Sequence, residues 1–159
     1  MIRHSKLSSS QLKFEVSEIQ LFYKTRTKAS DRPQINSSQE AHQILRNCSD
    51  ENTIELKEEF KILLINRENK VLGQMNISSG TTSGALIDIK FIVLVASRTN
   101  ASGAILSHNH PSGNLKPSHA DIKLTHKIKD VLNLIDVCVL DHIIVTCDSY
   151  TSLADEGSI

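Results

Sequence analysis

Hydrophobic and polar positions in the first half of the chain predict one helix followed by a β-hairpin. Ser37 and, three residues later, Glu40 form a capping-box pattern, and the apolar residues behind them repeat at helical spacing. A helix is therefore predicted over residues 38–47. Two apolar runs, residues 60–65 and 70–78, flank a turn-forming cluster rich in Asn and are predicted to pair as a hairpin.

The second half predicts an alternation of helices and buried strands. Residues 103–107 predict a strand, residues 118–133 a helix with an apolar stripe, and residues 137–146 another strand. Residues 87–98 fit a strand by propensity and a buried helix by length, and we prefer the helix. This alternation indicates the α/β class.

Length and composition indicate a single domain and narrow the class of function. The 159 residues divide into an N-terminal segment, residues 1–36, with a strand predicted near 13–25, and a domain over residues 37–159. The formal net charge of zero argues against strong attraction of the whole molecule to nucleic acid. No apolar run is long enough to span a bilayer, so we expect no membrane partner.

The cysteines and the N-terminus bear on the compartment. The first ten residues lack the apolar region of a secretory signal. Three cysteines without C-x-x-C spacing favour a reducing, cytoplasmic location. Two of them, Cys138 and Cys147, flank an apolar stretch and are expected to be buried.

The main chemical signal is H-x-H followed, after seven residues, by S-x-x-D. His108 and His110 face the same side of an extended segment, and Asp121 lies three residues after Ser118, the predicted helix N-cap. Two imidazoles and one carboxylate suit Zn²⁺ best and leave a coordination position for water, although Ni²⁺, Cu²⁺ and Fe²⁺ remain open. Each element alone has an ordinary explanation, as a surface histidine or a helix cap. Their combination after a buried strand favours a metal site.

This motif resembles the JAMM signature of the JAB/MPN zinc metallopeptidase superfamily, and residues 108–113 resemble its RadC-like branch. The likeness covers roughly residues 37–157 and includes residues 140–144 and 150–157. It implies a single domain with the three-layer α/β/α JAB/MPN fold, which cytidine deaminases share in outline.

The resemblance also implies roles for individual residues. The zinc ligands of the family match His108, His110 and Asp121. Ser118 matches a serine that helps to stabilise the oxyanion. Glu59, which precedes an aromatic residue and an apolar strand, matches the glutamate that acts as general base, with the adjacent Glu58 as the alternative. The implied activity is hydrolysis of a peptide or isopeptide-like amide bond in a protein or peptide substrate by a zinc-activated water.

Two other functions are weighed against this hydrolase. A DNA-associated accessory or DNA-repair protein with a structural or vestigial metal site is the alternative, because the RadC-like branch that the motif resembles is linked to DNA repair. Longer RadC-like proteins carry a helical DNA-binding module. Residues 1–36 show no such pattern, and the basic residues on the predicted 118–133 helix are typical of a solvated face. A deaminase is disfavoured because its zinc site uses cysteine ligands and an H-x-E motif, and neither occurs in this sequence. The sequence does not determine the oligomeric state.

Asp141 and His142 are a further candidate pair of carboxylate and imidazole. One interpretation makes them outer support for the zinc site. The other makes them a polar pair near the end of a strand.

Overall fold

The computed structural model describes residues 20, 22–80 and 87–159. Within these residues the chain forms three α-helices and five β-strands. In chain order they are α1 (Ser38–Asn47), β1 (Glu59–Ile65), β2 (Val71–Ser79), α2 (Ile89–Thr99), β3 (Gly103–Asn109), α3 (His119–Asn133), β4 (Cys138–Val145) and β5 (Tyr150–Ser152). A short 3₁₀ turn, Ala29–Asp31, precedes α1.

The five strands form one mixed sheet in the order β2-β1-β3-β4-β5. All neighbouring strands are antiparallel except β3 and β4, which run parallel and are connected through α3. In the register of the sheet, Phe60 of β1 pairs with His108 of β3, and His142 of β4 pairs with Leu106 of β3. Because paired residues project on the same side, these side chains share one face of the sheet.

Helices cover both faces of the sheet, which confirms the α/β/α layering expected from the sequence. One core cluster joins α2 and α3 to the sheet, and we call this side the α2/α3 face. Its fully buried members include Ile62, Ile92, Ala96, Leu106, Ile128 and Leu132. The other cluster, on what we call the α1 face, includes Ala41, Leu45, Leu63, Ile105 and Ile143.

The uncertain segment at residues 87–98 forms a helix, as preferred from its length. Ile92 and Ala96, four residues apart, are both fully buried against the sheet, and the side chain of Asp88 accepts a hydrogen bond from the Phe91 N–H at the helix start. The tertiary burial of one helical stripe therefore outweighs the strand propensity of these residues.

Two expectations from the sequence differ from the structure. The strand predicted near residues 13–25 lies largely outside the described residues, and residues 22–25 form no strand. Cys138 is exposed rather than buried, because it points away from the core that holds its neighbours Val137 and Val139, and Cys147 is only partly buried. None of the helices in the described ranges is long and apolar enough to cross a membrane.

Candidate metal centre

The two histidines of the H-x-H motif meet where β3 ends. His108 is only 2% exposed on the α2/α3 face, and His110 follows the strand with its N–H donating to the Val145 carbonyl at 3.0 Å. Side chains two positions apart in an extended chain project in the same direction. The two Nε2 atoms therefore approach within 2.9 Å of each other.

A turn and a helix cap bring Asp121 to the same place. Gly113, with φ +75°, closes a turn onto the His110 carbonyl, and Ser118 then caps α3. The Ser118 hydroxyl oxygen accepts from the Asp121 N–H at 3.1 Å, and the Asp121 carboxylate accepts from the Ser118 N–H at 2.7 Å. This capping box fixes the carboxylate beside His108 and His110, so the side chain that caps the helix is also available as a metal ligand.

The separations among the three side chains suit a small tetrahedral cation. The carboxylate oxygens of Asp121 lie 3.4 Å from His108 Nε2 and 3.8 Å from His110 Nε2. With zinc–ligand bonds of about 2.0–2.1 Å, two ligands of a tetrahedral ion lie about 3.3 Å apart. Since the ligand atoms of the three residues all lie within 4.8 Å of one another, this group could bind a metal ion.

A chain of hydrogen bonds behind His108 determines which of its nitrogens carries the proton. The Thr125 hydroxyl donates to the Asp121 carbonyl at 2.6 Å, so its oxygen accepts from His142 Nδ1 at 2.6 Å. His142 Nε2 must then accept from His108 Nδ1, 2.8 Å away. This assignment, inferred from the network, leaves His108 Nε2 as a free lone pair directed at the centre.

His110 also carries its proton on Nδ1, which donates to the Asn114 carbonyl, so its Nε2 has a free lone pair as well. The two Nε2 atoms are therefore both acceptors, and a cation between them would stabilise their approach to 2.9 Å. Burial lowers the pKa of His108 to about 4, against a smaller opposing effect of Asp121. Protonation of His108 is thus disfavoured near neutral pH, and the donor set fits a divalent metal ion.

Glu59 does not lie where the sequence hypothesis placed it. Phe60 shares a face with His108, so its neighbour Glu59 projects to the α1 face, where Lys57 Nζ lies 2.9 Å and Lys61 Nζ 3.1 Å from its carboxylate. Partial burial acts to raise the pKa of Glu59, but hydrogen bonds and charges from the two lysines hold that pKa below its ordinary value. Glu59 is an ion-pair partner on the face opposite the metal centre.

Of the two glutamates, Glu58, the alternative named from the sequence, is the one whose carboxyl group lies near the candidate metal centre. One residue earlier than Glu59, it is partly buried, and its carboxyl lies within electrostatic range of both His110 and Asp121. Burial raises the pKa of Glu58 above its ordinary value; His110 acts to lower it and the Asp121 charge raises it further. A carboxyl group with a raised pKa beside a metal centre suits proton transfer.

The family comparison covers the part of the chain that contains these residues. The sequence model of the RadC-like JAB domain matches residues 35–158. This chain belongs to the RadC-like JAB domain family. Among its relatives, the UPF0758 protein of Flavobacterium johnsoniae is 43% identical over 100 residues, which are 63% of this chain and 44% of that protein. The UPF0758 protein of Vibrio cholerae is 41% identical over 101 residues, 64% of each chain.

A third relative, the UPF0758 protein of Cellvibrio japonicus, is 37% identical over 101 residues, 64% of this chain and 45% of that protein. The RadC-like chain thus aligns with between 44% and 64% of the length of these three relatives.

Asp141 and His142 do not form the pair considered from the sequence. As neighbours in β4 they project to opposite faces. Asp141 accepts from the Ser152 hydroxyl at 2.7 Å and the Ala154 N–H at 3.0 Å, which ties β5 and the following residues to the sheet. His142 instead supports His108. The two side chains therefore have separate partners, although the His142 backbone N–H donates to the Asp141 carboxylate at 2.7 Å.

Sequence reasoning missed two supports of the RadC-like site. Thr125 belongs to the segment that resembles the RadC-like branch, but the sequence hypothesis gave no role in the site to Thr125 or to Asn109. Both are buried polar side chains, with Thr125 fully buried and Asn109 8% exposed. The one signal available was that a buried strand and an inward helix stripe each contain a polar residue that must find hydrogen-bond partners.

Proposed function

We propose that this RadC-like JAB domain is a zinc-dependent hydrolase that cleaves a peptide or isopeptide-like amide bond in a protein or peptide substrate. The observation that carries the proposal is the pair of acceptor nitrogens, 2.9 Å apart, beside the Asp121 carboxylate and within electrostatic range of the Glu58 carboxyl. Zinc held by His108, His110 and Asp121 would lower the pKa of water and polarise the substrate carbonyl.

Glu58 serves as the general base in this proposal. Its carboxylate takes a proton from the attacking water and returns that proton to the leaving nitrogen. A raised pKa favours the return of the proton to the leaving nitrogen. Glu59, held by two lysines on the other face, does not take this role.

Ser118 stabilises the carbonyl oxygen as negative charge develops on it. Its own oxygen already accepts from the Asp121 N–H, but its hydroxyl proton has no acceptor in the capping box. The hydroxyl is exposed at the start of α3 beside the ligand set, so it can donate to a substrate.

The test is amide hydrolysis by zinc-loaded protein on a panel of peptides and isopeptide-linked peptides. We expect Glu58→Gln to abolish hydrolysis while zinc stoichiometry, measured by elemental analysis, stays the same. Glu59→Gln is the matched control, one residue away and equally conservative, and it retains activity. Unchanged hydrolysis in Glu58→Gln would show that Glu58 is not the base.

A DNA-associated protein with a structural metal site is the second candidate. It is favoured by the exposed basic side chains along α3 and just before it: Lys116, His119, Lys123 and Lys127. A gel shift on duplex and branched DNA separates the two functions, since phosphate contacts weaken steeply with salt. Absence of binding at about 50 mM salt removes this candidate. For either function we propose a cytoplasmic location, on the basis of the free cysteines.

A further inference from the structure

Asn109 is the middle residue of the H-x-H motif, yet its side chain makes its hydrogen bonds on the face of the sheet opposite to His108. The Nδ2 group donates to the Ile54 carbonyl at 2.6 Å and to the Lys57 carbonyl at 2.8 Å. The Oδ1 atom accepts from the Glu59 N–H at 2.7 Å. One buried amide thus uses both of its N–H groups and its oxygen on the segment that leads into β1.

These three hydrogen bonds hold the backbone on both sides of Glu58. The Lys57 carbonyl and the Glu59 N–H belong to the two residues that flank it, and both are bonded to Asn109. The carbonyl of Glu58 itself accepts from the Gly80 N–H at 2.9 Å. With its neighbours fixed, the backbone of Glu58 has little freedom, and its carboxyl group lies within electrostatic range of His110 and Asp121.

We propose that Asn109 is a positioning residue for Glu58, which rests on the general-base role proposed above for Glu58. The strand segment that presents the two imidazoles also determines, through the residue between them, where the carboxyl group stands relative to the metal. An asparagine is required because only an amide offers two donors and one acceptor from a compact, uncharged group.

The first experiment measures the position of Glu58 without relying on catalysis. Protein labelled with ¹³C at the glutamate carboxyl carbons is loaded with Co²⁺, whose paramagnetism shifts nearby nuclei according to their distance from the metal. We expect a large shift at Glu58 and a smaller one at Glu59. In Asn109→Ala the Glu58 shift falls by at least half, while cobalt affinity changes less than the roughly 10- to 100-fold typical of residues that orient a metal ligand.

Two further variants separate positioning from general destabilisation. Asn109→Asp keeps the volume of the side chain but removes both donors, so it reduces the Glu58 shift even where the smaller alanine variant fails to fold. Asn66→Ala is the matched control. The Asn66 oxygen accepts from the Glu68 and Lys70 N–H groups, each at 2.9 Å, in the β1–β2 turn at the other end of β1. Its loss leaves the Glu58 shift unchanged.

Kinetics on a substrate identified by the peptide panel provide the second readout. Displacement of a catalytic group by about 1 Å costs up to about 100-fold in rate. We therefore expect Asn109→Ala to lower kcat by between tenfold and about 100-fold with little change in KM, because the substrate contacts and the metal ligands are intact.

The outcomes distinguish this inference from the hydrolase proposal. An unchanged Glu58 shift in both Asn109 variants overturns the positioning role, even if hydrolysis depends on Glu58. The absence of any cobalt-induced shift at Glu58 in the unmodified protein overturns it as well. A loss of the shift in both variants, in a protein that hydrolyses no peptide, supports the positioning role and counts against the hydrolase.

Discussion

His142 Nε2 lies 2.8 Å from His108 Nδ1, in a position with no exposure to solvent. The contact joins two residues that are 34 positions apart in the chain and lie on the adjacent parallel strands β3 and β4. Through this contact the Thr125 hydroxyl determines which nitrogen of His108 carries no proton. The lone pair that His108 presents to the candidate metal centre therefore depends on a hydroxyl group two hydrogen bonds away.

Replacing Thr125 by valine, which has nearly the same shape, tests this dependence. The His142 Nδ1–H is then buried without an acceptor, at a cost of about 1–3 kcal/mol. His142 can avoid this cost by carrying its proton on Nε2, from which it donates to His108 Nδ1. We expect zinc affinity to fall by about tenfold or more, measured by competition with a chelator.

The control is Thr99→Val, because Thr99 also donates to helix carbonyls, at the end of α2, and contacts no metal-centre residue. Its zinc affinity stays at the wild-type value. Equal affinities for the two valine variants would show that the tautomer of His108 is set in another way.

The metal-free protein should lose stability as the pH falls below neutral. Burial lowers the pKa of His108 to about 4 and lowers that of His142 well below its ordinary value. The unfolded chain binds these protons near pH 6.5, whereas the folded protein does not bind them until the pH is much lower. The stabilisation is thus complete above about pH 6.5 and is lost as the pH falls toward 4, by up to roughly 1.4 kcal/mol per pH unit for each histidine.

Urea denaturation in the presence of a chelator, between pH 7.5 and pH 5, measures this loss. His142→Gln reduces the slope, because one of the two buried imidazoles is gone, and His126→Ala, at an exposed helix position, leaves it unchanged. A free energy of unfolding that is constant over this range would contradict the burial of neutral imidazoles.

Removal of the Asp121 charge should separate its two roles. Asp121→Asn keeps an oxygen that can accept from the Ser118 N–H, so the helix cap is largely retained. Zinc is nevertheless bound weakly or not at all, since a neutral amide is a poor ligand for this ion. Elemental analysis of the purified protein measures bound zinc.

His108→Ala serves as the positive control for zinc loss, and His119→Ala, two residues from Asp121 but exposed, as the negative one. Full zinc occupancy in Asp121→Asn would remove the carboxylate from the ligand set.

Lys61 provides a test of the structural role of Glu59. Its ammonium group, in a residue only 7% exposed, lies 3.1 Å from the Glu59 carboxylate and 2.9 Å from the Ser49 hydroxyl. Removing one partner of a buried pair typically costs about 3–5 kcal/mol; the second ion pair, with Lys57, keeps the expected cost of Lys61→Met near the lower end of that range.

Chemical denaturation measures the cost. The double variant Lys61→Met/Glu59→Gln recovers part of the stability, because no charge is left without its buried partner. Additive losses in the double variant would mean that the two side chains do not interact.

Much of the fold could be predicted because it depends on local patterns. The capping box at Ser37, the hairpin signals and the apolar stripe of α3 all arise from residues a few positions apart, and the observed elements begin and end close to the predicted ones. The helix at residues 89–99 was the harder case, since its strand propensity had to be weighed against its length. The segment forms a helix because one of its faces is buried against the sheet.

The sequence by itself determined the candidate metal-binding group. His108 and His110 point the same way because of strand geometry, and Asp121 reaches them because a capping box holds it at the start of α3. Only the tertiary structure decided which glutamate stands near the group, since a shift of one residue in an extended chain moves a side chain to the other face of the sheet. The tertiary structure also brought His142, Thr125 and the Asn109 contacts into place, because hydrogen bonds between distant segments depend on how the strands align. Spacing along the chain carries no information about that alignment.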